Sequence, residues 1–135
     1  MVVASRYEDL EHCALFAGVP AKRRDELARG AVRVELAAGE LLFDEGSEGH
    51  EFVLVVKGRV VVRRGDETVA VLGEDEYLGE AALLDHARRN ATARADCDDT
   101  VIVCIGQDEF KALVDEFPSI GAVIHHTDDS RAVAS

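Results

Sequence analysis

The sequence predicts an α+β domain that is mainly β, with short strands in a sandwich or barrel between helices at the two ends of the chain. Short valine-rich apolar runs recur about every 8–12 residues and are separated by turn residues. Near both ends, the apolar residues instead recur with the helical period. The length of 135 residues suits one domain. We therefore expect a single core and not a two-domain enzyme.

The first thirty residues, 1–30, are predicted to be a helical segment. Within Tyr7–Phe16 the apolar side chains fall near one face of a helix. Pro20 precedes the sequence AKRRDELARG, and proline suits the first turn of a helix because its missing N–H has no partner there. Gly30 is a natural helix end.

At Ala31 the hydrophobic period changes from 3.6 to 2. In AVRVELA the apolar residues alternate with Arg33 and Glu35, which is the pattern of a strand with one buried face. The other predicted strands are the short runs ELLFD, EFVLVVK, RVVVRR, TVAVLG and TVIVCIG. Lys57-Gly58 and Arg64-Gly65-Asp66 are the clearest predicted turns. We assign residues 31–106 to this β region.

A segment at about 79–92 interrupts the strand pattern. GEAALLD contains no β-branched residue and consists of good helix formers, whereas HARRNATARAD returns towards an extended pattern. A helical turn inserted among strands is the place where we expect a ligand. Beyond Gly106, the run QDEFKALVDEF has helical spacing and ends at Pro118. We assign C-terminal helices to 107–127 and a polar tail to 128–135.

The charge balance excludes several classes of partner. Lys and Arg total 15 and Asp and Glu total 27, so the net charge is −12. Such acidity disfavours nucleic acid and anionic membrane as partners. The sequence contains no apolar run long enough for a transmembrane helix and no signal-peptide pattern, so we expect a cytoplasmic protein. Three scattered cysteines argue against a disulfide framework and a zinc knuckle.

Residues 79–92 contain the groups that an anionic ligand requires. A helix that begins at Gly79 or Glu80 presents free backbone N–H groups, which attract anions. An arginine adds a planar fork that matches two phosphate oxygens, and a carboxylate can accept hydrogen bonds from sugar hydroxyls. Together with a valine-rich wall, this set suits an anion that bears a sugar and an apolar ring. Read alone, however, Arg89 could be a surface ion-pair partner and Glu80 an ordinary carboxylate at a helix N-terminus.

The sequence GEAALLDHARRNAT resembles the phosphate-binding cassette of the cyclic nucleotide-binding domain family. That cassette has the form G-E-x-A-L-L, some residues, and then R-[TSA]-A-T. The family is the β-roll module of bacterial cAMP receptor-type regulators, protein kinase A regulatory subunits and cyclic nucleotide-gated channels. AAGELLFDEGSEGHEFVLVVKGRVVV and VLGEDEYLGE resemble its glycine pattern, so the resemblance covers residues 10 to 125 or so. It implies an eight-stranded β-roll (a double-stranded β-helix or jelly roll) flanked by N- and C-terminal helices.

The resemblance also implies roles for individual residues. Arg89 would hold the cyclic phosphate, Glu80 would accept a hydrogen bond from the ribose 2′-OH, and Gly79 would allow close approach of the backbone. The ligand is expected to be cAMP, with cGMP as a second possibility, and no cofactor or metal is implied. The implied ligand-binding set is Gly79, Glu80, Ala81, Ala82, Arg89, Asn90 and Ala91.

Three positions depart from the family pattern. Asn90 stands where a Thr or Ser hydroxyl often helps to bind phosphate or guanine, which leaves the preference between cAMP and cGMP open. Asp75-Glu76 stands where Gly-Asp is usual, and Asp tolerates a positive φ better than most residues. Arg88 replaces a common Pro and places a second cation beside Arg89.

We therefore expect a regulatory module and not an enzyme, in which cAMP binding changes the position of the C-terminal helices. The alternative is a degenerate member that binds no nucleotide and acts as a protein-interaction module. A cupin-type metal enzyme is disfavoured because only His50 lies near a predicted strand. The 17 residues after Pro118 are too few for a DNA-binding helix-turn-helix. Either an unknown effector protein receives the signal or the chain is a piece of a longer protein, and the oligomeric state stays open.

Overall fold

A computed structural model describes residues 2–4, 10, 14–46, 51–78 and 91–120, and these contain nine strands in two antiparallel sheets. The strands are β1 (Val2–Ala4), β2 (Val32–Leu36), β3 (Leu41–Phe43), β4 (Phe52–Lys57), β5 (Val60–Arg64), β6 (Glu67–Leu72), β7 (Tyr77–Leu78), β8 (Thr92–Ala95) and β9 (Thr100–Ile105). The five-stranded sheet has the order β1-β2-β9-β4-β7, and the four-stranded sheet has the order β3-β8-β5-β6. The helices are α1 (Ala21–Gly30) and α2 (Gln107–Glu116), and a 3-10 turn covers Ala14–Phe16.

One apolar cluster, which we call the roll interior, lies between the two sheets. Its members alternate along their strands with residues that face away, because successive strand side chains point to opposite faces of a sheet. Both sheets contribute to it, which closes the strands into a roll. The buried members are Leu36, Val53, Val55, Val60, Val62, Leu72, Leu78, Ala91, Ala93, Ala95 and Ile102.

A second cluster, the helix-side core, packs the helices onto the other face of the five-stranded sheet. From β4 it takes Phe52 and Leu54, and from α2 it takes Phe110 and Leu113. The central strands of this sheet are therefore buried on both faces, which explains why β4 reads as a continuous apolar run. The four-stranded sheet has only its inner face in a core. Buried residues therefore alternate with more exposed ones along β5 and β8.

The predicted fold class is confirmed, and most predicted elements lie where the sequence placed them. Helix α1 begins directly after Pro20 and ends at Gly30, and α2 occupies the predicted C-terminal helical run. Two elements differ. Val2–Ala4 forms an edge strand on β2, although helix was expected there, and its two valines favour the extended backbone. The two-residue strand β7 was not predicted.

Within the described residues, no helix has both the length and the apolar character needed to cross a bilayer.

Gly58 occupies the turn between β4 and β5 with a φ of +83°. A Cβ there would lie 2.9 Å from the backbone Cα of Thr100, so the turn tolerates neither the conformation nor the volume of a side chain. Gly39 has a similar φ of +86°, but a Cβ there would meet nothing within 4 Å. We expect Gly39→Ala to lower the free energy of unfolding by about 1 kcal/mol through conformation alone. Gly58→Ala should cost at least about 1 kcal/mol more, because overpacking adds to the strain. Chemical denaturation of both variants measures the difference, and equal losses would contradict the steric argument.

Candidate functional site

The predicted binding segment is attached to the roll interior at both of its ends. Leu78, the last residue of β7, is 1% exposed, and Ala91, directly before β8, is fully buried. Both belong to the roll interior. Ala91 is thus the one predicted site residue that lies within the described part of the chain. The other predicted site residues lie outside the described residues: Gly79, Glu80, Ala81, Ala82, Arg89 and Asn90.

The wall next to these two ends is apolar. Val60 and Val62 of β5 point into the roll interior and are at most 1% exposed. Val60 pairs with Leu72 of β6, and Val62 pairs with Ala93 of β8. The valine-rich wall expected from the sequence is therefore present in the same buried cluster as the two attachment points. Its side chains are covered by protein here, and it offers no charge to a phosphate.

A tight turn at residues 73–76 leads into β7. It contains Asp75-Glu76, which stands where the family pattern usually has Gly-Asp. Asp75 adopts a φ of +67°, which lies in the left-handed region. We expected this conformation because glycine is usual at this position of the family pattern. The Asp75 N–H donates to the Val55 carbonyl at 2.8 Å, and the Glu76 side chain accepts from the Gly73 N–H at 3.0 Å. The expectation that Asp75 tolerates this conformation is confirmed. Asp carries a smaller penalty there than most residues, since its short polar side chain can bond locally.

An aromatic stack connects the strand before the binding segment to the C-terminal helix. The rings of Phe52 and Phe110 lie 4.3 Å apart with an interplanar angle of 16°. On the other side, Phe52 stacks on Tyr77 at 5.4 Å. Phe16 of the 3-10 turn meets Phe52 edge-on at 6.1 Å. Because Tyr77 lies two residues before Gly79, this stack connects the entry to the binding segment with α2 through Phe52.

The two helices are also in contact with each other. Arg23 Nε of α1 donates to Glu116 Oε2 of α2 at 3.0 Å. About half of the Glu116 side chain is exposed, so the pair adds at most about 1 kcal/mol to stability. At the end of α1, the Glu109 side chain lies against the Cα of Gly30, where an added Cβ would be 2.6 Å from Oε2. These contacts place α1 and α2 side by side on the five-stranded sheet.

The electrostatic features of the described residues lie away from the roll interior. The Thr100 hydroxyl lies 3.5 Å from the Cys97 sulfur and lowers the pKa of that thiol, in the turn between β8 and β9. Arg59 pairs with Asp96 near the same turn at 3.6 Å. No group of three His, Cys, Asp or Glu side chains that could hold a metal occurs among the residues that the structure describes.

Sequence reasoning missed the packing of Tyr77 on Phe52. A signal was available for Tyr77, because it is a large aromatic residue two positions before the GE pair and such a side chain is expected to be buried on one face of the sheet. Its partner could not be identified, since Phe52 lies in an apolar run that gives no indication of which residues face the helices.

Comparison with known proteins agrees with the family resemblance of the cassette sequence. The family model described as cyclic nucleotide-binding domain matches residues 33–117. The chain is 30% identical over 100 residues to a cGMP-dependent protein kinase of Eimeria tenella, covering 74% of this chain and 10% of the kinase. It is 35% identical over 85 residues to a cAMP-dependent protein kinase regulatory subunit of Mycosarcoma maydis, covering 60% of this chain and 16% of that subunit.

Among solved structures, the chain superimposes on cAMP-bound PfPKA-R (141-441) with a TM-score of 0.82 at 24% identity, covering 93% of this chain and 43% of that one. At this identity the likeness supports the fold alone. The alignments with the two curated relatives span a small part of those proteins, 10% and 16% of their lengths. What is shared is thus one domain of larger proteins.

Proposed function

This chain belongs to the cyclic nucleotide-binding domain family, and from that premise we propose that it binds cAMP in preference to cGMP and that the ligand repositions its C-terminal helices. The observation that carries the proposal is the attachment of the GEAALLDHARRNA segment to a buried apolar wall at both ends, through Leu78 and Ala91. A ligand held by that segment would therefore lie next to the strands that carry Val60 and Val62.

Different residues of the proposed site contact the phosphate, the ribose and the base of the ligand. Arg89 pairs with the cyclic phosphate, and Glu80 accepts from the ribose 2′-OH. Both assignments rest on the cassette sequence. In a chain of net charge −12, the arginine supplies the cation that a phosphate monoanion requires close by. The valine wall supplies the apolar contact, and burial of a purine face there contributes about 25 cal/mol per Å² of apolar area.

The preference for cAMP is the finer part of the proposal. The relatives include both a cGMP-dependent kinase and a cAMP-dependent regulatory subunit, so family membership alone does not decide it. Asn90 replaces the Thr or Ser that often contacts a guanine. An amide can donate to the same site, so the proposed preference for cAMP rests on the recurrence of cAMP-dependent regulatory subunits among the relatives.

Titration calorimetry of the purified chain with cAMP and, separately, with cGMP tests the function. We expect saturable binding of one equivalent of cAMP and weaker binding of cGMP. 5′-AMP is the control, because it keeps the base and the ribose but carries an open phosphate. The absence of heat and of a thermal shift with both cyclic nucleotides, on folded protein, would leave the degenerate interaction module as the function.

The proposed helix movement is supported by the stack of Tyr77, Phe52 and Phe110. A ligand can shift the helix only by its differential affinity for the two helix positions. Closure of the binding segment on phosphate would pull on β7, and Tyr77 is the residue through which β7 contacts the helix-side core. The movement would then pass from Tyr77 through Phe52 to α2.

Tyrosine fluorescence gives a direct measurement of this step. The chain has no tryptophan and two tyrosines, so Tyr7→Phe leaves Tyr77 as the sole emitter of its kind. Tyr77 is 8% exposed and stacked on Phe52, and its emission is sensitive to that packing. We expect cAMP to change the emission with the same concentration dependence as the calorimetric binding. Emission that stays constant while cAMP binds would contradict a movement transmitted through Tyr77.

A further inference from the structure

The four-stranded sheet has an outward surface, here called the outer face, that no described helix covers. Along β5 and β8, Val60, Val62, Ala93 and Ala95 point into the roll interior. The residues between them point outward, because side chains alternate along a strand. Helices α1 and α2 pack in the helix-side core, to which this sheet contributes no residue. The outward set on β5 and β8 is Val61, Arg63, Thr92 and Arg94.

A row of four residues crosses the outer face from edge to edge. The strand register aligns Leu41 with Arg94, Arg94 with Val61, and Val61 with Val71. Leu41 is 40% exposed and Val71 is 52% exposed, and these are two of the three large apolar residues that stand out as exposed in the described chain. With strands about 4.8 Å apart, the row is roughly 14 Å long. It thus has an apolar residue at each end, and Arg94 and Val61 lie between them.

Two arginines form the cationic centre of this face. Arg63 and Arg94 line one cleft of 320 Å³ with Val61, Thr92, Gly65 and Asp44. Arg63 Nη2 donates to the Asp66 carbonyl at 2.7 Å, and Arg94 Nη1 donates to the Gly39 carbonyl at 2.9 Å. These bonds fix both side chains and leave most of their N–H donors available. Neither guanidinium forms an ion pair with a carboxylate of the described residues.

We propose that the outer face binds an extended segment of a partner protein that presents an acidic side chain between two apolar side chains. Every second residue of an extended segment faces the same way, at about 6.7 Å spacing. An apolar residue on Leu41 then brings the second residue after it to Arg94, where Arg63 is the diagonal neighbour, and the fourth to Val71. The pattern is therefore apolar-x-acidic-x-apolar, and its length matches the row.

The extent of the row distinguishes a peptide from a small anion. Leu41 and Val71 lie outside the cleft lining, at opposite ends of the row, and a ligand that filled the cleft alone would leave both exposed. The carboxylate of Asp44 in the cleft wall also disfavours a ligand that carries charge throughout. A single acidic side chain that enters from an apolar segment meets both arginines and buries the two apolar ends.

An NMR titration of the ¹⁵N-labelled full chain with the capped pentapeptide Leu-Ser-Glu-Ser-Val tests the proposal, independently of nucleotide binding. We expect shifts at the amides of Val61, Thr92 and Arg94 and a dissociation constant of about 1 mM, which corresponds to roughly −4 kcal/mol. The Lys-centred peptide Leu-Ser-Lys-Ser-Val is expected to bind at least about tenfold more weakly, which is 1.4 kcal/mol. Equal binding of the two peptides, or shifts confined to other parts of the chain, would overturn the proposal.

Matched variants identify which residues are responsible. Arg63→Gln with Arg94→Gln should abolish binding of the Glu peptide, and Val71→Ser should weaken it severalfold without a change in charge. Lys57→Gln, which removes an exposed cation at the end of β4, should leave it unchanged. Succinate is expected not to compete at the same concentration. Undiminished binding to the double variant, or competition by succinate, would show that the face is not a peptide site.

Discussion

Replacement of Arg89 by alanine is expected to weaken cAMP binding by at least about 30-fold in titration calorimetry. The guanidinium would form a charge-assisted, two-pronged contact with the phosphate. Removal of one partner from a buried charge pair costs about 2–5 kcal/mol, and each 1.4 kcal/mol is a factor of ten. The neighbouring cation is Arg88, which the cassette sequence does not align with the phosphate.

The adjacent arginine provides the matched control for this result. Arg88→Ala removes the same charge one residue earlier, so it should alter cAMP binding by less than about threefold, the scale of a screened surface charge. Arg89→Lys keeps the charge but loses the planar fork, and we expect an intermediate affinity. The reverse outcome, with Arg88 essential and Arg89 dispensable, would show that the cassette alignment is wrong by one residue. Circular dichroism of each variant verifies that it is folded.

Local patterns in the sequence were sufficient to predict most strands but not their environment. Alternation in AVRVELA and RVVVRR identifies strands, and a glycine marks the turn at Gly58. In EFVLVVK both faces are apolar because β4 is covered by helices on one side and by the roll interior on the other. Nothing in that run distinguishes the two faces. Strands as short as β1 and β7 contain too few residues to show a period.

For the candidate site, the sequence predicted seven residues, and the structure describes the surroundings of Ala91 alone. The cassette motif named Ala91, and its complete burial in the same cluster as Val60 and Val62 depends on the pairing of β5 with β8, which no local pattern contains. The conformation of Asp75 was predictable because the family pattern usually has glycine there, whereas Asp99, with a φ of +60°, gave no such signal. The stack from Tyr77 to α2 joins three distant parts of the chain, and such contacts are not visible in one sequence.

Phe52 contributes both to the stability of the fold and to the proposed transmission of movement from the binding segment to α2. It is fully buried and contacts rings from β7, α2 and the 3-10 turn, so it holds the binding segment's entry strand and both helical regions to the central sheet. A residue with that position should have a large effect on folding. A conservative change there should instead alter the transmission of movement to α2 while leaving the proposed phosphate contact at Arg89 in place.

We expect Phe52→Ala to lower the free energy of unfolding by about 3–5 kcal/mol, because a large cavity opens between Tyr77 and Phe110. Phe52→Leu fills most of the space and should cost about 1–2 kcal/mol, including the loss of aromatic stacking. Val71→Ala, on the outer face, should stay within about 0.5 kcal/mol of the parent. Urea denaturation measures all three, with an unchanged slope as evidence that the denatured state is the same. If Phe52→Leu kept cAMP affinity but abolished the Tyr77 emission change, the stack would be the link between ligand and helix. A full emission change in that variant would mean that the stack supports the fold alone.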